Sequence, residues 1–178
     1  MIHEIEQAAL RAADLTRQML AYSGKGAFVI QRLRIDKIVH EMAQLLGTVI
    51  SKKAVPKLEL APAAIKGDVA QIQQVVMNLI TNASDALGEK AGVIQVRTGV
   101  RRLFDPMPRA PIAPDDLPPG EYAFIEVEDD GNGMTPDTQA RIFDPFFTTK
   151  FAGRGLGLAA VLGIVRGHGG AIKVASRV

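Results

Sequence analysis

The 178-residue chain is long enough for one full-sized domain and an appended element, and its 47% hydrophobic and 22% charged residues are typical of a globular protein. A formal charge of +2, with no tryptophan and no basic cluster interleaved with aromatics, argues against a nucleic-acid partner. No apolar run reaches the ~20 residues of a membrane span. The absence of cysteine excludes disulfides and thiolate metal sites.

The N-terminal segment is predicted to form one amphipathic helix over residues 2–23. Its apolar residues recur at spacings of three and four, and Gly24-Lys25-Gly26 ends the pattern as a glycine C-cap does. A long helix with a single apolar stripe has to bury that stripe, and we expect self-association rather than docking on its own domain. We therefore divide the chain into residues 1–26 and a domain over residues 27–178.

Two helices and a strand are predicted next. A helix is expected over roughly Ile35–Ser51, followed by a short strand at Lys57–Leu60. A third helix is expected over residues 69–87. Asp68 is its predicted N-cap, and Gln71 at the third helical position predicts a capping box.

The helix over residues 69–87 carries two distinct stripes. At 100° per residue, one narrow arc is apolar and consists of Ile72, Val75, Val76, Leu79, Ala83 and Ala86. A polar stripe lies about a quarter-turn away and consists of Gln71, Gln74, Asn78, Asn82 and Asp85. Such a stripe can line a site at the edge of a core.

Two further strands are predicted over Gly92–Leu103 and Gly120–Asp129. Six of the ten prolines lie between them, so this stretch is expected to be a long hairpin loop. Because alternate strand residues share a face, Asp129 continues the inward-facing row of the second strand. Residues 131–153, rich in Gly, Asn, Pro and Thr, are expected to be mobile.

A last helix and a last strand complete the predicted fold. The helix is expected to run from near Gly155 to about Arg166, and the strand over Ala171–Ala175. The fold class is α+β: a two-layer sandwich of a mixed, mostly antiparallel sheet packed on about three helices, preceded by the long amphipathic helix.

Two polar clusters suit a metal and a purine. Asn78 and Asn82 lie four residues apart on one helix face, and amide oxygens are ligands that Mg²⁺ accepts. Alone, such a pair more often satisfies backbone groups. Asp129, followed by Gly131 and Gly133, is an acceptor suited to an exocyclic amine such as that of adenine, although Asp and Gly also end strands in ordinary turns.

Two further segments suit phosphate. The run Phe143–Phe147 places three aromatics around a proline, either as the base of a flexible segment or as ordinary core, and Lys150 beyond it can neutralise phosphate charge. The segment 153–158 opens a helix whose free N–H groups favour an anion. A dinucleotide fingerprint is excluded there because no strand precedes the glycines.

In this order the four segments resemble the N box, first glycine box, F box and second glycine box of the ATP-binding catalytic domain of sensor histidine kinases. That domain belongs to the ATPase superfamily shared with gyrase, Hsp90 and MutL, and the resemblance covers about residues 30–178. It implies a Bergerat-type fold that binds ATP and Mg²⁺. By this resemblance Asn82 would coordinate Mg²⁺, and Asn78 would support the metal and the phosphates. Asp129 would bind the adenine amine, with Gly131 and Gly133 shaping the adenine pocket. The residues implied around the triphosphate, under a short lid, are Thr148, Thr149, Lys150, Gly153, Arg154, Gly155, Leu156, Gly157 and Leu158.

Residues 4–23 resemble the second helix of that family's dimerisation hairpin. The resemblance implies transfer of the γ-phosphoryl group to a histidine on such a hairpin, and a response-regulator receiver domain downstream. The family's acceptor lies on the first hairpin helix, and neither His3, His40 nor His168 fits that position. We therefore expect no autophosphorylation, a cytoplasmic location with any membrane anchor elsewhere in the parent protein, and a final strand that is truncated.

Three alternatives remain on the same fold: a gyrase-type ATPase, a serine kinase of the anti-sigma type, and a non-catalytic nucleotide-binding module. Gyrase-type enzymes carry a glutamate four residues before the metal-binding asparagine. That position here is Asn78, which cannot act as a general base, so hydrolysis is expected to be slow. The hairpin-like N-terminal helix disfavours the anti-sigma type.

Overall fold

The computed structural model describes residues 29–47, 54–104, 117–150 and 155–178. The predicted helix over residues 2–23, most of the proline-rich loop, and Gly153 and Arg154 lie outside these ranges. Among the described residues, no helix has both the length and the apolar character needed to span a membrane.

Three of the described strands form one mixed sheet. In the sheet, the order is β2-β4-β5, with β2 parallel to β4 and β4 antiparallel to β5. A separate antiparallel pair joins β1 to β3. The elements are β1 Gln31–Arg34, α1 Ile35–Leu46, β2 Ala54–Leu60, β3 Ala64–Gly67, α2 Val69–Leu87, β4 Gly92–Leu103, β5 Gly120–Asp129, α3 Pro136–Arg141 and α4 Gly157–Gly167.

The core lies between one face of the sheet and helices α1 and α2. Val39 of α1, Val76 of α2, and Ile94 and Val96 of β4 are almost completely buried there. Helix α2 also packs against α4 through Val75, which joins a second apolar cluster. The two-layer arrangement with a mixed sheet confirms the predicted fold class, and it places the polar stripe of α2 beside the start of α4.

Several predicted elements differ from the structure. The helix predicted over Ile35–Ser51 is described over Ile35–Leu46, and residues 48–51 lie outside the described ranges. The predicted strand over Ala171–Ala175 is wrong, since residues 170–178 contain no strand. Short elements with weak periodicity were missed: the four-residue strands β1 and β3, and α3 within the segment expected to be mobile.

The N-terminus of α2 is capped as predicted, but only half of the capping box exists. The Asp68 carboxylate accepts the N–H of Gln71 at 3.1 Å, which confirms the N-cap. The Asp68 N–H donates to Nε2 of His168 at 3.2 Å, in place of the Gln71 side chain that a capping box requires. His168 follows α4, so its ring ties the end of that helix to the beginning of α2.

Candidate functional site

The polar stripe of α2 meets the first residue of α4 at Asn78. The side-chain nitrogen of Asn78 is buried and has no hydrogen-bond partner among the described residues. A Cβ added to Gly157 would lie 3.3 Å from Oδ1 of Asn78, so the glycine lets the start of α4 approach the amide closely. An unpartnered buried amide costs roughly 1–3 kcal/mol, a cost that an incoming acceptor would remove.

One turn further along α2, Lys150 lies over Asn82 and Asp85. Its Nζ donates to Oδ1 of Asn82 at 2.8 Å and to Oδ2 of Asp85 at 2.7 Å. The side chains of Lys150 and Asp85 are 41% and 56% exposed, so water competes with this ion pair. Asn82 therefore already presents its amide oxygen to a cation.

The first glycine segment is docked near the end of α2. The Asn132 N–H donates to the carbonyl of Ala86 at 3.0 Å, and a Cβ at Gly131 would fall 2.6 Å from that same carbonyl. Asp129, at the end of β5, accepts the Gly131 N–H at 3.0 Å. Its side chain is exposed, so the inward row of β5 ends before Asp129 and the carboxylate keeps acceptor positions open.

Contacts from three segments are thus distributed along one helix, from Asn78 beside α4 to Ala86 beside the Asp129 turn. At 1.5 Å per residue these two points are about 12 Å apart along the axis. A nucleoside triphosphate can bridge that distance with its base near Asp129 and its phosphates near Gly157. The arrangement provides the Asp129 carboxylate at one end, and the Asn78 amide with the N-terminus of α4 at the other. The Lys150 ammonium lies between them, on Asn82 and Asp85.

The F-box segment and the second glycine segment hold each other. The Phe146 N–H donates to the carbonyl of Gly155 at 2.9 Å, and a Cβ at Gly155 would fall 2.6 Å from the carbonyls of Phe146 and Phe147. Gly155 has a φ of 67° and Phe146 a φ of 68°. A positive φ is strained for a phenylalanine, so this pairing sets the path of the chain towards Lys150.

The other predicted site residues have varied surroundings. Thr148 Oγ1 accepts the Lys150 N–H at 3.1 Å, and Thr149 is exposed. Gly133 has a φ of 67° and lies against the carbonyl of Arg177. Leu156 is buried directly before α4, and Leu158 packs on the cluster of Ile142, Phe143 and Leu162. Gly153 and Arg154 lie outside the described residues.

Two features escaped the sequence-based assignment of the site. Asp85 was recognised in the polar stripe but received no role, because nothing local connects it to Lys150, 65 residues away. The strained backbone of Phe146 has no sequence signal at all, since phenylalanine is rare at positive φ.

The chain matches a known protein family over more than half of its length. Residues 67–178 match the family described as histidine kinase-, DNA gyrase B- and HSP90-like ATPase. The chain is 38% identical over 183 residues to the sensor kinase CckA of Brucella abortus, covering 99% of this chain and 19% of that protein. It is 30% identical over 184 residues to the sensor histidine kinase ZraS of Salmonella typhimurium, covering 98% of this chain and 35% of that protein. It thus spans about a fifth to a third of these relatives.

Solved structures share the fold. Full-length ShkA in complex with AMPPNP has a TM-score of 0.66 at 20% identity, with 94% of this chain and 33% of that chain covered. The histidine kinase ThkA in complex with the response regulator TrrA has a TM-score of 0.63 at 22% identity, with 95% and 44% covered. At these identities the likeness concerns the fold alone.

Proposed function

The chain belongs to the family of histidine kinase-, DNA gyrase B- and HSP90-like ATPases, and we propose that it is the catalytic part of a sensor histidine kinase. In this proposal it binds ATP with Mg²⁺ and donates the γ-phosphoryl group to a histidine on a dimerisation hairpin. A response-regulator receiver domain then takes the phosphoryl group. The family membership confirms the resemblance predicted from the four segments.

The observation that carries the proposal is the contrast between the side-chain amides of Asn78 and Asn82. The Asn78 side-chain nitrogen is buried and has no hydrogen-bond partner in the described part of the chain, whereas the Asn82 side-chain oxygen accepts the Lys150 ammonium. A metal–triphosphate site needs both kinds of group: a hydrogen-bond donor that is available to a phosphate oxygen, and an oxygen that can bind a cation. A purely structural asparagine pair would satisfy its amides within the protein.

Each residue has a stated role in this proposal. Asn82 Oδ1 holds Mg²⁺, which when bound neutralises phosphate charge in the transition state. Asn78 donates to a phosphate oxygen, and the N-terminus of α4 at Gly157 adds backbone N–H groups. Lys150 pairs with the phosphates, and Asp129 accepts the adenine amine. The histidine nitrogen forms a bond to the γ-phosphorus while the bond to the β,γ-bridging oxygen breaks and ADP leaves.

Transfer in trans tests the proposal directly. The chain is incubated with γ-labelled ATP and Mg²⁺, alone and with a hairpin that carries an acceptor histidine. We expect label on the hairpin and none on the chain. Label on the chain alone, or no transfer although ATP binding is demonstrated, would overturn the proposal. A hairpin with His→Ala is the matched control.

The same site disfavours a gyrase-type ATPase. The residue four positions before Asn82 is Asn78, whose amide cannot take a proton from water. Slow release of inorganic phosphate in the absence of the hairpin is therefore expected, and rapid multiple-turnover hydrolysis by the chain alone would favour the ATPase instead.

A further inference from the structure

We propose that Asp85 is a positioning residue for Lys150: it holds the ammonium group on the side-chain oxygen of Asn82, the same atom that is proposed to hold the metal. This inference rests on the proposed function, because it concerns the same Asn82 oxygen. The contacts of Lys150 Nζ with Asn82 Oδ1 and Asp85 Oδ2 are called the Lys150 bridge below.

The geometry assigns different tasks to the two acceptors of the bridge. Asn82 and Asp85 lie three positions apart on α2, so their side chains are neighbours on one helix face. The amide oxygen of Asn82 is neutral, so it accepts a weaker hydrogen bond from the ammonium group than a carboxylate does. The carboxylate of Asp85 supplies the charge, at 2.7 Å, that keeps Lys150 there.

A metal and the ammonium group cannot share the Asn82 oxygen. Both are cations, and Mg²⁺ at its usual ligand distance of about 2.0–2.1 Å would stand directly beside Nζ. Binding of the metal with a triphosphate therefore has to move Lys150 off Asn82. The phosphates are the natural new partner, since they offer more negative charge than one carboxylate.

The bridge consequently opposes nucleotide binding by a modest amount. Lys150 and Asp85 are 41% and 56% exposed, and ion pairs at such exposure are weak, so an effect of about threefold on affinity is expected. The effect has a definite sign: loss of the Asp85 charge should favour the Mg–nucleotide complex. Asp85 thus sets how readily Lys150 leaves the metal position.

The first measurement needs no nucleotide. Acylation of the Lys150 amine by a limiting amount of an amine-reactive reagent is followed by mass spectrometry of the peptides. Asp85→Asn should raise the rate at Lys150 about threefold, while Lys90, whose Nζ contacts Asn132 at 3.3 Å, provides an unchanged internal reference. Asp85→Glu keeps the charge and should retain the slow rate.

The second measurement is the affinity for Mg–AMPPNP in a double-mutant cycle. Asp85→Asn should tighten binding about threefold in the native background and have no effect in the Lys150→Ala background. Glu128→Gln is the matched control. It removes a carboxylate that is paired with Arg97 and is 63% exposed, close to the 56% of Asp85, and that lies on the face of the sheet away from α2. It should change neither the acylation nor the affinity.

The outcomes separate this inference from the proposed function. An unchanged acylation rate in Asp85→Asn overturns the positioning role. A gain in affinity that persists in Lys150→Ala also overturns it, because the gain would then come only from removing a negative charge near the phosphates. If the native chain fails to bind Mg–nucleotide, the proposed function fails, whereas intact binding with unchanged acylation removes only the role of Asp85.

Discussion

The polar groups at the N-terminal end of helix α2 differ from those further along the helix in how fully they are hydrogen-bonded within the protein. At the N-terminal end, the Asp68 carboxylate accepts the N–H groups of Val29 and Gln71, and its own N–H reaches His168. Further along, Asn78 keeps a buried nitrogen without a described partner, and Asp85 holds Lys150 in a largely exposed pair. Polar groups that are satisfied internally maintain the fold, whereas those left open are available to a ligand.

The pKa of Asp68 reflects the hydrogen bonds that its carboxylate accepts at the N-terminal end of α2. Burial by itself raises the pKa of Asp68, but the backbone donors of Val29, Gln71 and Ala70 outweigh burial, so the pKa lies below its usual value. The group is therefore ionised in the folded protein at neutral pH and serves as a permanent cap for α2.

The largest effect is expected for Asn82→Ala, further along α2. It removes the amide oxygen proposed for the metal, and Mg-dependent ATP affinity should fall by about 100-fold. The midpoint of thermal unfolding should stay nearly unchanged, because the side chain is not part of the core. Isothermal titration with and without Mg²⁺ measures the effect, with Gln95→Ala on the outer sheet face as the control. Unaltered Mg dependence would remove Asn82 from the site.

A smaller effect is expected at Asp129, which is proposed to bind the base. Asp129→Asn exchanges a pure acceptor for a group that also donates, so it should tolerate the guanine carbonyl. The preference for ATP over GTP should fall by about tenfold, which corresponds to about 1.4 kcal/mol. Binding constants for both nucleotides give the ratio. Equal affinities for ATP and GTP in the native chain would contradict the role of Asp129.

His168→Ala tests the satisfied end. The substitution leaves the Asp68 N–H and the carbonyl of Ile164 without their ring partner, and the free energy of unfolding should drop by about 1–2 kcal/mol. Urea unfolding measures this loss. Nucleotide affinity of the folded variant should change less than about twofold, since His168 acts on the fold and not on the site. His40→Ala, at an exposed residue of α1 hydrogen-bonded to Gln44, is the control.

The smallest expected effect is a change in how the free energy of unfolding depends on pH. A hydrogen bond from Arg34 lowers the pKa of Asp36 to about 2 against burial. Because the folded pKa lies below the unfolded value of about 3.9, this contribution to stability is complete above about pH 4 and is lost as the pH falls through about 2. Unfolding free energies measured from pH 5 to pH 2 should fall less steeply in Arg34→Ala. An identical slope in that variant would disprove the coupling.

The sequence predicted the long, strongly periodic elements accurately. Helix α2 and the strands β4 and β5 have the predicted bounds. They contain 19, 12 and 10 residues, so the periodicity of their apolar residues repeats often enough to be recognised. The four-residue strands β1 and β3 were missed, and the strand over Ala171–Ala175 was wrong. A short apolar alternation does not distinguish a strand from an extended segment that packs by its side chains alone.

The local sequence pattern determined which residues are proposed to form the site: the two asparagines of α2, the acid before the glycine turn, the lysine after the aromatics and the glycines before α4. The tertiary structure alone decided which of them meet. Lys150 reaches Asp85 across 65 residues and His168 reaches Asp68 across 100. Periodicity reports which face of an element is buried, but contacts between distant elements depend on how those faces pack, and packing is decided only in the folded chain.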